Sequence, residues 1–240
     1  MNKIASEQQM RLFSYAAAAI VTLLSIITSP IQAALVTADD VAIDSGSQYF
    51  SALNLTNTSG LTLGSDNTLT ADDFYTNSFN YVDSWVTNTV SGGDYFNVES
   101  SPILTFTFDN AVDIDQVAIW GYVGFDDTRG VGNSASQGFI EFSTDGVNFG
   151  PAIAFSIDPT QVGEGATVTD FDLQHDIVAA RVTFTDNHAN LDGGDRVGAN
   201  LVAFNTVIVP TPSAMWLIMF GLAGLVVMRN RRKLAYARVR

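Results

Sequence analysis

The stretch GFDDTRGVGNSASQ, residues 124–137, places paired carboxylates, an arginine and an asparagine in one connection between apolar segments. Carboxylate, guanidinium and amide groups can each hydrogen-bond to neighbouring hydroxyl groups, and an aromatic ring can pack on the apolar face of the same ligand. This combination suits a hydroxyl-rich ligand. A salt bridge between Asp126 and Arg129 that only stabilises a turn is the alternative. The candidate ligand residues are Trp120, Tyr122, Asp126, Asp127, Arg129 and Asn133.

A second polar stretch, TDNHANLDGGDRVG over residues 185–198, has a similar character. Asn187 and His188 join the candidates, because they could line the same rim or bind an ion. The glycines and Arg196 could instead only shape the loop and neutralise nearby acids. The chain has no cysteine and only two histidines, His175 and His188, so zinc sites, thiol nucleophiles and disulfides are excluded.

Acidic residues dominate the region between the two apolar ends of the chain. Residues 35–208 contain 24 of the 25 acids but only three arginines, which gives a formal charge of −21. Nucleic acid is excluded as a partner, because phosphate backbones need clustered cations. This excess of negative charge suits a domain in salty surroundings or one that binds cations such as calcium, although such an excess more often indicates only a solvated acidic face.

Short runs of alternating apolar and polar residues predict an all-β fold, an antiparallel sandwich. In ILTFTFDN, residues 103–110, the apolar side chains share one face and Asp109 with Asn110 is expected to turn the chain. Residues 117–122, VAIWGY, are apolar on both faces and predict a central strand covered by the second sheet.

Three further segments extend the predicted sandwich. The Asp145–Gly146 pair in GFIEFSTDGVNFG predicts a hairpin with a short return strand. Val182 and Phe184 alternate with polar neighbours in another strand, and a final strand is expected over residues 201–207.

The order of these segments resembles the discoidin-like, galactose-binding-like jelly rolls. The resemblance spans residues 72–204 and rests on the segments LTFTFDNAVDIDQVAIWGY, GFIEFSTDGVNF, ARVTFTDNH and GDRVGANLVAF. Trp85 stands where such domains often carry a core tryptophan. It implies a ligand site in the loops at one end of the sandwich, where many members bind sugars. It also implies a structural calcium ion in the loop of Asp72 and Asp73, although Leu201 stands where the family has a glutamate ligand.

The first 34 residues predict a secretory signal peptide and therefore export by the Sec route. Lys3 and Arg11 precede an uncharged apolar run over residues 12–28, and Pro30 with the following alanines supplies the cleavage region. A retained transmembrane helix is the alternative. The sandwich domain then occupies residues 35–208.

Residues 209–240 form three blocks in a fixed order. A Pro-x-Pro turn precedes the uncharged run 214–228, which predicts a short transmembrane helix, and the basic residues after it are expected to stay cytoplasmic. The residues of the motif and of the basic block are Pro210, Thr211, Pro212, Arg229, Arg231, Arg232 and Lys233.

This tail resembles the PEP-CTERM sorting signal of Gram-negative bacteria, with Thr211 in place of the glutamate. The resemblance implies an exosortase as partner, the inner membrane as the site of processing, and the cell surface or extracellular matrix as the destination. A plain membrane anchor is the alternative.

No catalytic motif stands out in the sequence. The chain lacks a GxSxG elbow, a P-loop, an HExxH pair and a GxGxxG fingerprint after a strand. With so many acids, a carboxylate pair at glycosidase spacing is expected by chance. We therefore expect a non-enzymatic surface or exopolysaccharide-matrix protein that binds carbohydrate or has a structural role. The alternative is a membrane-anchored surface hydrolase acting on polysaccharide.

Overall fold

The computed structural model describes residues 34–64, 67–74, 81–122, 130–158, 165–191 and 193–207. The ladders between its named strands are all antiparallel. The strands are β1 Ala34–Thr37, β2 Asp40–Ser45, β3 Trp85–Val86, β4 Ile103–Gly121, β5 Ala135–Ser143, β6 Ile153–Ser156, β7 Thr167–Asn187 and β8 Gly198–Thr206. Short 3-10 helices span Ala52–Thr56, Tyr81–Asp83, Tyr95–Asn97 and Val131–Asn133.

Helical structure in these ranges is limited to those single turns, and none is long or apolar enough to cross a membrane. Residues 1–33 of the predicted signal peptide and the whole of the predicted sorting signal, 209–240, lie outside the described residues.

The two long strands, β4 and β7, build the sandwich because each runs through both of its halves. Residues 103–107 of β4 pair with β2 and with residues 179–183 of β7. Residues 116–119 of β4 pair with β8 and with residues 167–170 of β7. The ladder is irregular between these two parts, so both strands bend there and bring their two ends back to one end of the sandwich. We call this the loop end, and it contains Gly121, Ala135, Asn187 and Gly198.

The main core lies between the two halves and confirms the predicted alternation. Leu104 and Phe106 are fully buried and Phe108 nearly so. Trp85 is also fully buried and stacks on Phe184 at 5.6 Å between ring centroids, as expected for a core tryptophan. Each such side chain contributes about 1.5–3 kcal/mol through its removal from water.

The segment 117–122 is buried on both faces, as predicted, but a second sheet covers only one of them. Val117 and Ile119 belong to the main core. Ala118 and Trp120 belong to a second apolar cluster on the other face, where Leu69 packs against them. This outer face is therefore covered by the irregular segment before β3.

The predicted turn at Asp109–Asn110 is wrong, because the chain continues there as β4. Both residues are exposed at the bend, and the Asp109 N–H donates to Asp39 Oδ2 at 2.7 Å. A polar pair that resembles a turn in the sequence thus marks a bend in a continuous strand.

The predicted hairpin is confirmed by the pairing of β5 with β6, but its return strand begins only at Ile153. The Asp145 carboxylate holds the loop by accepting hydrogen bonds from the N–H groups of Asn148 and Val147, at 2.8 and 2.9 Å. These bonds, those from Asn148 foremost, keep the pKa of Asp145 well below its usual range. Gly146 has φ +75°, a conformation that other residues rarely adopt.

Candidate functional site: a polar cleft at the loop end

Strands that are distant in the sequence meet at the loop end. The start of β5 pairs with the end of β7, so that Ala135 lies opposite Asn187. The His188 N–H donates to the Ser134 carbonyl at 3.1 Å, and the Ile157 N–H donates to the Ser136 carbonyl at 2.7 Å. These bonds bring the loop after β7 next to the end of β6.

Asn133 and Asn187, two predicted ligand residues, hold this loop in shape. The Asn133 Oδ1 accepts from the N–H groups of Gly194 and Arg196 at 2.7 and 3.2 Å. The Asn187 Nδ2 donates to the carbonyls of the same two residues at 2.9 and 2.8 Å. Gly194 has φ +102°, which favours glycine at this point. A direct role of the two asparagines in ligand binding stays a prediction.

Trp120 and Tyr122 do not offer the open aromatic face that the sequence suggested. Their exposed fractions are 2% and 7%, because both lie on the central strand or directly after it. The Trp120 Nε1–H donates to the Asp73 carbonyl at 2.7 Å, and the Tyr122 N–H donates to Ser134 Oγ at 3.1 Å. Both residues therefore belong to the packed support beneath the loop end.

An exposed aromatic residue lies elsewhere on the loop end. Tyr49 is 58% exposed, and the guanidinium carbon of Arg196 lies 4.5 Å from its ring centroid. The backbone of Arg196 is fixed by both asparagines, so this cation–π pair has a defined position.

Three predicted ligand residues, Asp126, Asp127 and Arg129, lie outside the described residues. Of the predicted calcium ligands, Asp72 is exposed, whereas Asp73 is buried and its Oδ2 accepts from the Thr70 N–H at 2.7 Å. Within the described ranges, no three acidic, histidine or cysteine side chains cluster as metal ligands. Two carboxylates cover only part of the six to eight oxygens that calcium takes, so the ion stays a prediction.

A cleft of about 400 Å³ opens beside the loop that follows β7. Its lining includes Ser136, Gln137, Ser156, Asp186, His188 and Asn190. Two of its polar atoms, Ser136 Oγ and His188 Nε2, are buried and have no hydrogen-bond partner among the described residues. Buried polar groups are nearly always hydrogen-bonded, so these two atoms point to a bound molecule or water.

The protonation state of His188 follows from its surroundings. Partial burial lowers its pKa, while a hydrogen bond to the Ile157 carbonyl and the charges of Asp186 and Asp158 act in the opposite direction. The ring is therefore neutral at pH 7. Because Nε2 has no partner among the described residues, the bond to Ile157 comes from Nδ1–H, which leaves Nε2 as a buried hydrogen-bond acceptor.

Comparison with known proteins supports the fold. The chain resembles a fragment, residues 298–461, of a putative chitobiase from Bacteroides thetaiotaomicron, with a TM-score of 0.50 and 12% identity over 76% of this chain and 98% of that one. A CBM32 module from a family 31 glycoside hydrolase of Clostridium perfringens aligns with a TM-score of 0.45 and 15% identity, over 71% and 90% of the two chains.

The chain also aligns with a structure of Clostridium perfringens ZmpB that contains two CBM32 domains and a catalytic domain, at 15% identity and a TM-score of 0.45. The match covers 72% of this chain but only 15% of that one. No family model and no curated protein matches the sequence. At these identities the likeness concerns the fold alone, which is an antiparallel β-sandwich of the jelly-roll type.

Of the residues that line this cleft, sequence reasoning singled out Asn187 and His188 but missed Ser136, Ser156 and Asp186. Serines and aspartates are common in the loops and strands of this chain, so their type carries no signal. Only the pairing of β5 with both β6 and β7 brings them together.

Proposed function

We propose that this protein is a non-catalytic carbohydrate-binding module and that its site is the cleft containing His188. The observation that carries the proposal is a pair of buried atoms, Ser136 Oγ and His188 Nε2, that find no hydrogen-bond partner in the part of the chain that the structure describes. A buried polar group without a hydrogen bond costs about 1–3 kcal/mol, which a ligand hydroxyl can recover. Sugars present several adjacent hydroxyl groups, and the cleft surrounds them with serine, amide and carboxylate groups.

Cleavage by this cleft is the weaker interpretation, although a serine, a histidine and an aspartate share it. A serine hydrolase needs a hydrogen bond between nucleophile and base, with the base oriented by a third group. Ser136 Oγ and His188 Nε2 do not bond to each other, and the other ring nitrogen of His188 is held by the uncharged Ile157 carbonyl rather than by a carboxylate. These contacts favour binding without cleavage.

The destination of the protein is part of the same proposal. The signal-peptide pattern of residues 1–34 supports export by Sec, and the resemblance of residues 209–240 to a PEP-CTERM signal supports processing by an exosortase at the inner membrane. The sandwich would then act at the cell surface or in the polysaccharide matrix.

A glycan array with the purified full chain tests the binding function. We expect retention of one class of polysaccharide without release of soluble sugar. His188→Ala and Ser136→Ala should each weaken binding roughly tenfold, the equivalent of one hydrogen bond of about 1.4 kcal/mol.

His175→Ala is the matched control, because that histidine is 63% exposed and lies far from the loop end, beside Asp113. Unchanged binding in both cleft variants would place the site elsewhere. Soluble sugar products that disappear in the same variants would make the protein a hydrolase.

A further inference from the structure

The cleft continues into a larger groove of about 1020 Å³ between β6 and the first part of β7. Both cavities are lined by Gln137, Ser156 and Ile157, so they form one track. A track of this kind can accept several units of a chain, whereas the cleft alone would accept one.

The polar part of this track carries hydrogen-bond acceptors and negative charge. Asp186 lines the cleft and Asp158 lines the groove, and the charges of both act on His188. The neutral His188 adds an acceptor at Nε2. Ser136, which is only 7% exposed, also lines the cleft, and its buried Oγ has no hydrogen-bond partner among the described residues.

Among the described residues that line the track, none is a lysine or an arginine. Of the two arginines in the described ranges, Arg181 pairs with Glu141 at 2.9 Å and Arg196 lies over Tyr49. A ligand that brings its own positive charge would therefore meet opposite charge in the track, and an anionic polymer would be repelled.

The carboxylates of the track are spread along it and do not converge on one point. The Asp158 N–H lies 3.3 Å from Thr167 Oγ1, and Asp170 follows three residues later on an extended strand, roughly 10 Å further on. The described residues contain no cluster of three potential metal ligands. This spacing suits charges repeated along a polymer better than a single metal ion.

We infer that the track selects polysaccharides that carry protonated amino groups, such as glucosamine polymers without N-acetyl groups. The inference rests on the proposed carbohydrate binding and names its substrate class. Each ammonium group donates three hydrogen bonds and matches the acceptors Asp186 and His188 Nε2. Hydroxyl groups of the same sugars remain available to Ser136.

Calorimetry with the full chain tests the inference, using a hexamer of β-1,4-linked glucosamine and the fully N-acetylated hexamer, at a pH where the free amines are protonated. We expect the charged hexamer to bind more tightly. Asp186→Asn and Asp158→Asn should each reduce that preference about two- to fivefold, because a solvent-accessible ion pair contributes modestly. Added salt should reduce it too.

Asp109→Asn, which removes the same charge at the exposed bend of β4, is the matched control and should leave the preference unchanged. Equal affinity for the two hexamers, or a preference that survives both Asp186→Asn and Asp158→Asn, would overturn the inference while carbohydrate binding stands. Binding of other sugars but of neither hexamer would overturn it as well. If no carbohydrate binds, the proposed function itself fails.

Discussion

Replacing Asn187 tests whether this residue has a structural role in the loop or binds the ligand directly. The side chain is 6% exposed and makes three hydrogen bonds to the backbone. Its Nδ2 donates to the carbonyls of Gly194 and Arg196 at 2.9 and 2.8 Å, and its Oδ1 accepts from the Ala189 N–H at 3.1 Å. Asn187→Ala removes all three bonds and frees the loop that carries His188.

The expected loss of stability follows from these contacts. Each hydrogen bond contributes about 1 kcal/mol, so the variant should be less stable by about 3 kcal/mol. The Gly194 carbonyl also accepts from the Tyr95 N–H, at 2.8 Å, which limits the loss at that point. For a domain of this size, such a change lowers Tm by roughly 6–12 °C.

Thermal and urea unfolding of three variants measure the effect. Asn187→Asp keeps an oxygen that can accept the hydrogen bond from the Ala189 N–H. The group that donates to two carbonyls becomes a second carboxylate oxygen, which those carbonyls repel. This variant should therefore destabilise the protein at least as much as Asn187→Ala at neutral pH. Asn190→Ala is the control, since Asn190 is exposed on the same loop.

The loop-clamp role would be refuted if Asn187→Ala melted within about one degree of wild type. If that variant also lost carbohydrate binding, Asn187 would be a direct ligand residue, as the sequence first suggested.

Three further predictions address the core, the cleft and the tail. Trp120→Ala should cost about 3–5 kcal/mol, because it empties a buried site and removes the donor to the Asp73 carbonyl; a Tm within about two degrees of wild type would contradict this. The lowered pKa of His188 means that the unfolded chain binds its proton more readily, so stability should fall on acidification through about pH 6.5, and His188→Gln should flatten that part of the urea-midpoint profile. Pro210→Ala with Pro212→Ala should leave the protein in the inner membrane at its full post-signal-peptide mass, and wild-type size and distribution in a strain with an active exosortase would indicate a plain anchor.

The alternation of apolar and polar side chains in the sequence alone determined much of this fold. Leu104, Phe106 and Phe108 recur every second residue, and a strand turns such residues to one face, so their burial followed from local geometry alone. In the segment 117–122, alternate side chains also point to opposite faces, and those on both faces are apolar. Both faces therefore had to be covered by other parts of the chain.

The bend at Asp109 could not be predicted from the local sequence pattern. Polar residues in a turn and polar residues at an exposed bend have the same composition, and the difference lies in whether the partner strand continues alongside. Here β7 runs beside β4 on both sides of the bend, so the chain stays extended.

The candidate site depended on tertiary structure still more strongly. The sequence around an asparagine does not show whether its side chain holds a loop or binds a ligand. The two roles are distinguished only by the hydrogen-bond partners of its polar atoms. Asn187 satisfies its hydrogen bonds within the loop, whereas Ser136 Oγ and His188 Nε2 are buried and have no partner within the described ranges. The pairing of β5, β6 and β7, which are far apart in the chain, determines which polar atoms are enclosed at this point. It also determines which of these atoms find a hydrogen-bond partner.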